Sequence, residues 1–375
     1  MESEFRKTHE TFVPGSMTLP QEYYTSPEIF SKEKERIFRG WVCAGHVSRI
    51  PDAGSYFLLD QAPDNLIVLR DKEGGVRAFH NVCRHRGTRV EDAPEGMFSN
   101  SIQCSYHAWT YGLDGKLIGA PFMKDVDGFN PENFPLKAAD VHQWNGFIFV
   151  NTGGGKTASF EQEYPGLTGR MSQWNMGALK SHKRIPYEVK SNWKYVFQNF
   201  NECYHCPTLH PALNKLADYT SGNNDLTEGS ALGGFIEFTE DSRSMTMTGR
   251  TCAIPLGDLS PEDSRRGYYY SVLPNLLLNV HPDYVMFHLV SPQAPDRTKV
   301  ISEWLFNPEA NSKKDFRPED AIEFWDITNI QDWNVCELGQ KGVSSPAYEP
   351  GPYSPRESLL AAFDQHYLSI MNSTK

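Results

Sequence analysis

The chain has 375 residues, of which 39% are hydrophobic and 13% aromatic, enough for a sizeable core and two domains. Charged residues make up 22%, and 47 acidic against 36 basic residues give a net charge of −11. This excludes a disordered chain and argues against a nucleic-acid partner, which would need a basic face. No stretch of about 18 apolar residues occurs, so no membrane span is expected.

Met1-Glu2-Ser3-Glu4-Phe5-Arg6-Lys7 is followed by no apolar stretch of signal-peptide type. The seven cysteines are an odd number in a long chain. They read as reduced thiols of a cytoplasmic protein, some of them ligands.

Residues 1–40 form an N-terminal segment. In it, Ser26-Pro27-Glu28 opens a capped helix that runs through Arg36 and stops by Gly40. Over 41–155 the texture is short strands and turns. Asn65–Arg70 and Val76–Val82 flank a charged Asp-Lys-Glu-Gly-Gly turn, which predicts a hairpin. Gly146–Val150 predicts another strand. Thr152–Ser159 is Gly-rich and marks the junction to a second domain, 156–375.

Gly155-Lys156-Thr157 is not a phosphate-binding loop, because Val150 stands where that motif needs glycine. No Gly-x-Gly-x-x-Gly occurs either, so the chain has no dinucleotide fingerprint of its own. In the second domain Tyr268–His281, Tyr284–Ser291 and Lys299–Phe306 read as strands, and Arg317–Gly342 as a long helix.

Two groups of residues carry chemistry. The first is Cys83-x-His85 and Cys104-x-x-His107, with Arg86-Gly87 after the first pair and Trp109-x-Tyr111-x-x-x-Gly115 after the second. Two thiolates and two imidazoles suit a tetrahedral zinc or a [2Fe–2S] cluster of mixed ligation. With its flanking residues, this segment resembles the Rieske domain of ring-hydroxylating and demethylating oxygenases. The resemblance implies a Rieske [2Fe–2S] cluster held by Cys83, His85, Cys104 and His107. Ser105 and Ala108 depart from it, standing where that family usually has proline and glycine.

The second group is Glu202-Cys203-Tyr204-His205-Cys206-Pro207-Thr208-Leu209-His210. Glu202 and His205 are three apart, as on one face of a helix, and Pro207 is expected to end that helix. His205 and His210 form a two-imidazole arm. A reactive non-haem Fe(II) takes two histidines and one carboxylate, leaving positions open for O2.

On the long helix Ile322, Trp325, Asn329, Asp332 and Cys336 share one face, so Asp332 projects inward and needs a cation partner. Asp326 is the rival carboxylate. Cys203-x-x-Cys206 reads as core packing, with a redox dithiol or a zinc site (with His205 and His210) as alternatives. His281 and His288 read as satisfied core histidines.

This region resembles the catalytic domain of the same oxygenases. The resemblance covers about Trp41 to Phe363. It implies an α+β fold: an all-β Rieske domain, and a catalytic domain with an antiparallel sheet flanked by helices. It places mononuclear Fe(II) on His205, His210 and Asp332. Glu202 becomes the electron-transfer bridge to His85 or His107 of a neighbouring subunit, and the chain part of a homotrimer.

The implied partners are a separate NAD(P)H-dependent reductase of the flavin/iron–sulfur kind, a small-molecule substrate and O2. Glu202 followed by Cys203-Tyr204-His205 is similar to the branch acting on quaternary ammonium compounds: choline, glycine betaine, stachydrine or carnitine. The expected reaction is hydroxylation or N-demethylation, with Phe197, Phe200, Tyr204, Tyr268, Tyr269, Tyr270, Tyr284 and Trp304 available as cation–π faces. A ring-hydroxylating mono- or dioxygenase and a non-enzymatic zinc-binding protein are the alternatives.

Overall fold

A computed structural model describes residues 15–60, 64–153 and 158–373. The chain divides into two compact units, Phe38–Thr157 and Met1–Ile37 with Ala158–Lys375. Residues 1–14 of the expected N-terminal segment and 154–157 of the expected junction lie outside the described residues.

The second unit begins with helices α1 (Glu22–Thr25) and α2 (Pro27–Arg36). The Ser26 hydroxyl accepts from the Ile29 N–H, and Pro27 fills a first-turn position whose N–H would be an orphan.

The Phe38–Thr157 unit is all β. Its main sheet joins β1 (Trp41–His46), β2 (Ser55–Leu59), β3 (Leu66–Arg70), β4 (Val76–His80) and β5 (Glu95–Met97). Three short strands follow, β6 (Ser101–Gln103), β7 (Thr110–Gly112) and β8 (Leu117–Gly119), before β9 (Ala138–Trp144) and β10 (Phe147–Asn151) complete the main sheet. The main sheet has the order β1-β10-β9-β4-β3-β2-β5, and β6-β7-β8 form a separate sheet.

The predicted hairpin is β3–β4. Asp71 shapes its turn, its carboxylate accepting from the N–H groups of Glu73 (3.1 Å) and Gly75 (2.7 Å) and from Arg77 Nε (2.6 Å). Gly115, at φ +84°, turns β7 into β8 so close to Phe79 that a Cβ there would sit 2.4 Å from the ring. A core of Tyr56, Ile67, Phe79, Trp109, Tyr111 and Leu136 also includes Cys83 and Cys104.

The remainder of the second unit is α+β. After α3 (Phe160–Glu163) come β11 (Lys180–Val189), α4 (Trp193–Phe200), α5 (Cys206–Leu209), α6 (Pro211–Leu216), β12 (Asn223–Leu226) and β13 (Ala231–Glu237). Then follow β14 (Arg266–Val272), β15 (Leu276–Val280), β16 (Val285–Ala294), β17 (Arg297–Phe306), α7 (Pro318–Val343) and α8 (Ser358–Asn372).

The seven strands form one antiparallel sheet in the order β11-β17-β16-β15-β14-β13-β12. Helix α4 packs on β16, α7 on β11 and α8 on β13. The apolar, β-rich run 268–281 forms two strands, parted at Leu273-Pro274, where proline has no N–H for a ladder bond.

Helix α2 is tied down by a buried charge. Glu33, 1% exposed, accepts from Lys194 Nζ at 2.5 Å, from the Tyr367 hydroxyl at 2.6 Å and from Trp193 Nε1 at 2.9 Å. Lys194 is fully buried, so each ion compensates the other's desolvation.

Two sequence expectations are corrected here. Glu202 and His205 are not helical: α4 ends at Phe200, and Pro207 sits in the first turn of α5 instead of ending a helix. Proline's fixed φ and missing N–H suit that first turn. Nor are all cysteines reduced thiols, because Cys203 and Cys206 are joined by a disulfide across a Cα separation of 4.9 Å. Both remain core residues, at 4% and 3% exposure.

Candidate metal centres

The first centre sits on two loops closed in the same way. The Cys83 N–H donates to the Thr88 carbonyl (2.8 Å) and the Gly87 N–H to the Cys83 carbonyl (3.1 Å). In the other loop the Cys104 N–H donates to Trp109 (2.9 Å) and the Ala108 N–H to Cys104 (3.0 Å). The fifth residue of each turn is left-handed, Gly87 at φ +76° and Ala108 at φ +56°. The departure at Ala108 is therefore a non-glycine residue in a glycine conformation.

Cys83 and Cys104 are buried, whereas His85 is exposed and His107 half-buried. The two imidazole centroids are 4.7 Å apart, and His85 stacks on Trp109 at 4.9 Å. Tyr111 supports the first loop: its hydroxyl lies 3.3 Å from the Cys83 sulfur and accepts from the Arg84 N–H at 3.0 Å. Burial pushes the Cys104 thiol's pKa up, so thiolates here need a cation to hold them. Sulfur inside and imidazole outside fits a two-iron cluster of mixed ligation.

The second centre lies in the other unit. Donor atoms of His205, His210 and Asp332 all fall within 4.8 Å of one another. His210 Nε2 is 2.8 Å from Asp332 Oδ1, and His205 Nε2 is 3.2 Å from His210 Nε2 and 3.5 Å from the same Asp332 oxygen. The opposite ring nitrogens are both engaged. His205 Nδ1–H donates to Glu202 Oε1 at 2.5 Å and His210 Nδ1–H to Gln331 Oε1 at 2.7 Å. This leaves the two Nε2 atoms, which face Asp332, as the positions a metal would take.

Glu202 is fixed in turn by the backbone N–H groups of Tyr204 and His205, which replace the helix that the spacing suggested. Burial opposes a charged His205 ring, but hydrogen bonds to Asp332 and Glu202 outweigh it and push the pKa up to about 10. The same two histidines hold Asp332 below the usual carboxylate range, against its burial. The donor set is thus built around positive charge and fits a divalent iron. Asp326 is not part of it, since it accepts from the Tyr187 hydroxyl at 2.6 Å.

Above these donors lies a narrow cavity of about 60 Å³. Aromatic rings form an arc in its wall: Trp333–His288 (5.8 Å), His288–Phe200 (6.3 Å), Phe200–Tyr269 (6.5 Å) and Tyr269–Trp325 (6.2 Å between centroids). Of the eight aromatics named from sequence, Phe200 and Tyr269 are in this wall. Burial drives His288 to a pKa of about 4, so it is neutral, and its Nδ1 pairs with the Ser302 hydroxyl at 2.7 Å.

His281 is buried too, but neither of its ring nitrogens has a hydrogen-bond partner, so it is not the satisfied core histidine expected. Sequence reasoning missed the orienting role of Gln331 and the wall position of Asn279. The signal for Asn279 was one amide in the apolar run Leu276–Val280.

The two units match two family models. Residues 40–130 match the Rieske [2Fe-2S] domain, and residues 176–373 the ring hydroxylating alpha subunit (catalytic domain). The chain therefore belongs to the Rieske non-haem iron oxygenases and is an oxygenase whose cofactors are a Rieske [2Fe–2S] cluster and a mononuclear iron.

Within that family it is 32% identical to the glycine betaine monooxygenase oxygenase subunit of Chromohalobacter salexigens, over 91% of this chain and 82% of the relative. It is 37% identical to the carnitine monooxygenase oxygenase subunit of Acinetobacter baumannii, over 52% and 53%. The solved structure of a quaternary ammonium Rieske monooxygenase, described for carnitine oxidation and inter-subunit electron transfer, superposes with a TM-score of 0.81. It is 26% identical and covers 95% of this chain and 96% of the other. Membership of this family removes the non-enzymatic zinc reading. Among the described residues no helix is long and apolar enough to cross a membrane.

Proposed function

We propose that this chain is the terminal oxygenase of a multicomponent system that hydroxylates, and thereby N-demethylates, a small quaternary ammonium compound. One observation carries the substrate class. The cavity over the iron donors combines an arc of five rings with two carboxylates, Glu202 and Asp332, and no lysine or arginine among the described residues that line it. Aromatic faces, with no lysine or arginine among them, favour a cation that cannot itself donate a hydrogen bond. The names of the relatives point the same way.

In this reading Cys83, His85, Cys104 and His107 hold the cluster, and His205, His210 and Asp332 hold the iron. When bound, the metals supply stored electrons and O2 activation toward a C–H bond. The chain's own work is to fix both imidazole tautomers through Glu202 and Gln331, seat the ammonium against the rings, and keep water from a narrow apolar space. A hydroxylated N-methyl group loses formaldehyde and a proton, leaving the tertiary amine.

Electrons come from a separate NAD(P)H-dependent flavin/iron–sulfur reductase in the cytoplasm. The chain works as a homotrimer, with Glu202 bridging to His85 or His107 of a neighbour. Exposed Tyr204, Ile330 and Leu338 near the iron site, and exposed Tyr106 and Phe122 in the cluster unit, offer apolar surface for such contacts.

The test is a single turnover. Protein carrying both metals is reduced chemically without air and exposed once to O2 with choline, glycine betaine, stachydrine or carnitine. Cluster oxidation with formaldehyde release is expected for at least one of them. Formaldehyde from none, with a hydroxylated ring from an aromatic panel, would select ring hydroxylation.

A further inference from the structure

Asn279 lies on β15, 1% exposed, in the wall of the cavity beside its register partner Tyr269. Neither its Nδ2 nor its Oδ1 has a hydrogen-bond partner. A fully buried amide with both ends unmet is rare in folded proteins, and in a ligand cavity it marks a group that the ligand satisfies.

Several neighbouring polar side chains are already engaged, although Trp333 Nε1 in the same wall is not. His288 Nδ1 pairs with Ser302, Asn329 Nδ2 donates to the same hydroxyl at 3.5 Å, and the Thr328 hydroxyl donates to the Phe324 carbonyl at 2.9 Å. Glu202, His205, His210 and Asp332 are tied to one another. His281, two residues along, is also unpartnered but is not among the residues lining the cavity.

We infer that Asn279 reads the end of the substrate opposite its ammonium group, and that this end carries oxygen, as a hydroxyl or a carboxylate. This rests on the quaternary ammonium reading and narrows it. The cation has the rings. Besides Asn279, Trp333 Nε1 in the wall also lacks a hydrogen-bond partner, but an indole N–H can only donate, whereas the amide can donate to a carboxylate or accept from a hydroxyl. A trimethylammonium compound with a plain alkyl tail would leave the amide unmet in a dry wall. A site built to hydrogen-bond a substrate group discriminates strongly against the analogue that lacks it.

The test compares choline, glycine betaine and propyltrimethylammonium, using the reductase-coupled or single-turnover formaldehyde assay. The wild-type chain is expected to favour at least one oxygen-bearing compound over propyltrimethylammonium by about tenfold or more in kcat/KM. Asn279→Leu, close in volume, is expected to collapse that ratio to about threefold or less, chiefly through KM, while iron content and the cluster spectrum persist.

Asn279→Asp supplies a second readout if the leucine variant does not fold. A carboxylate in the wall repels a carboxylate-ended substrate, so the betaine-to-choline ratio is expected to fall about tenfold. An unchanged preference in both variants overturns this inference and leaves the substrate class standing. Wild-type protein that releases formaldehyde from none of the three, nor from carnitine or stachydrine, overturns the substrate class, and this inference with it.

Discussion

The Nδ1–H of His210 donates to Oε1 of Gln331 at 2.7 Å, and Gln331 immediately precedes Asp332 on α7. One helix turn therefore carries both the carboxylate of the proposed iron donor set and the group that orients one of its imidazoles. Gln331→Leu is expected to weaken iron retention by about 10–100-fold, because the His210 tautomer is no longer held. Gln331→Glu should restore it. Iron per chain after dialysis against a chelator checks this; equal retention in the wild type and the leucine variant would show that Gln331 has no orienting role.

Removing the carboxylate itself separates the two centres. Asp332→Ala is expected to abolish product formation and mononuclear iron while leaving the visible absorption of the reducible cluster intact. Cys104→Ser should do the reverse to the spectrum. A cluster lost in Asp332→Ala would mean that the two sites do not load independently.

Glu33→Ala is expected to destabilise the fold by about 3–5 kcal/mol, since it strands the fully buried Lys194 ammonium without its counter-charge. It also removes the acceptor for Tyr367 and Trp193. Denaturant unfolding followed by tryptophan fluorescence would report it. A loss below about 1 kcal/mol, the range of exposed ion pairs, would contradict the assignment.

Asp364 gives a pH dependence with a definite sign. Its burial pushes the pKa up to about 7, although hydrogen bonds from Tyr353 and Gln198 and the charge of Lys194 pull the other way. The folded chain therefore binds this proton more tightly than the unfolded chain, where the group titrates near 3.9. Stability from this group is complete below about pH 4 and is lost as pH rises toward and through 7. Asp364→Asn cannot titrate, so the melting temperature of the variant relative to wild type should climb between pH 5 and 8. A constant difference would remove Asp364 as the source.

Ala108 stands at φ +56°, where its counterpart in the other loop is Gly87. Relief of the left-handed strain is worth about 1–2 kcal/mol, and the extra freedom glycine brings to the unfolded chain offsets about 0.4–1 kcal/mol. Ala108→Gly is expected to raise the temperature at which the cluster's visible band is lost. A lowered temperature would mean that Ala108 packs usefully where it is.

What could be read from the sequence follows from which forces act locally. The Cys-x-His and Cys-x-x-His pairs and the inward stripe of α7 were legible because ligand spacing and helical period are short-range properties. The fold class was legible through the same motifs. The helix expected through Glu202 and His205 was not found, because backbone N–H groups capping a carboxylate give the same proximity without a helix. Trp333 and His288 meet in the cavity wall from elements far apart in the chain, and spacing carries no trace of such a meeting. Asn279 was visible as an amide in an apolar strand, but what it faces depends on long-range packing.

Helix α7 supplies Trp325, Thr328, Asn329 and Trp333 to the cavity wall in the same stretch that holds Gln331 and Asp332. For laboratory evolution the proposed iron assignment links two traits: substitutions that reshape the helical side of the cavity are expected to disturb metal loading, and selection for a new substrate there would carry a penalty in active enzyme. The sheet side, Ile236 on β13, Tyr269 on β14 and Asn279 on β15, contributes none of the three proposed iron donors. Libraries aimed at new substrates should therefore be drawn from the strands, with the helix left as it is.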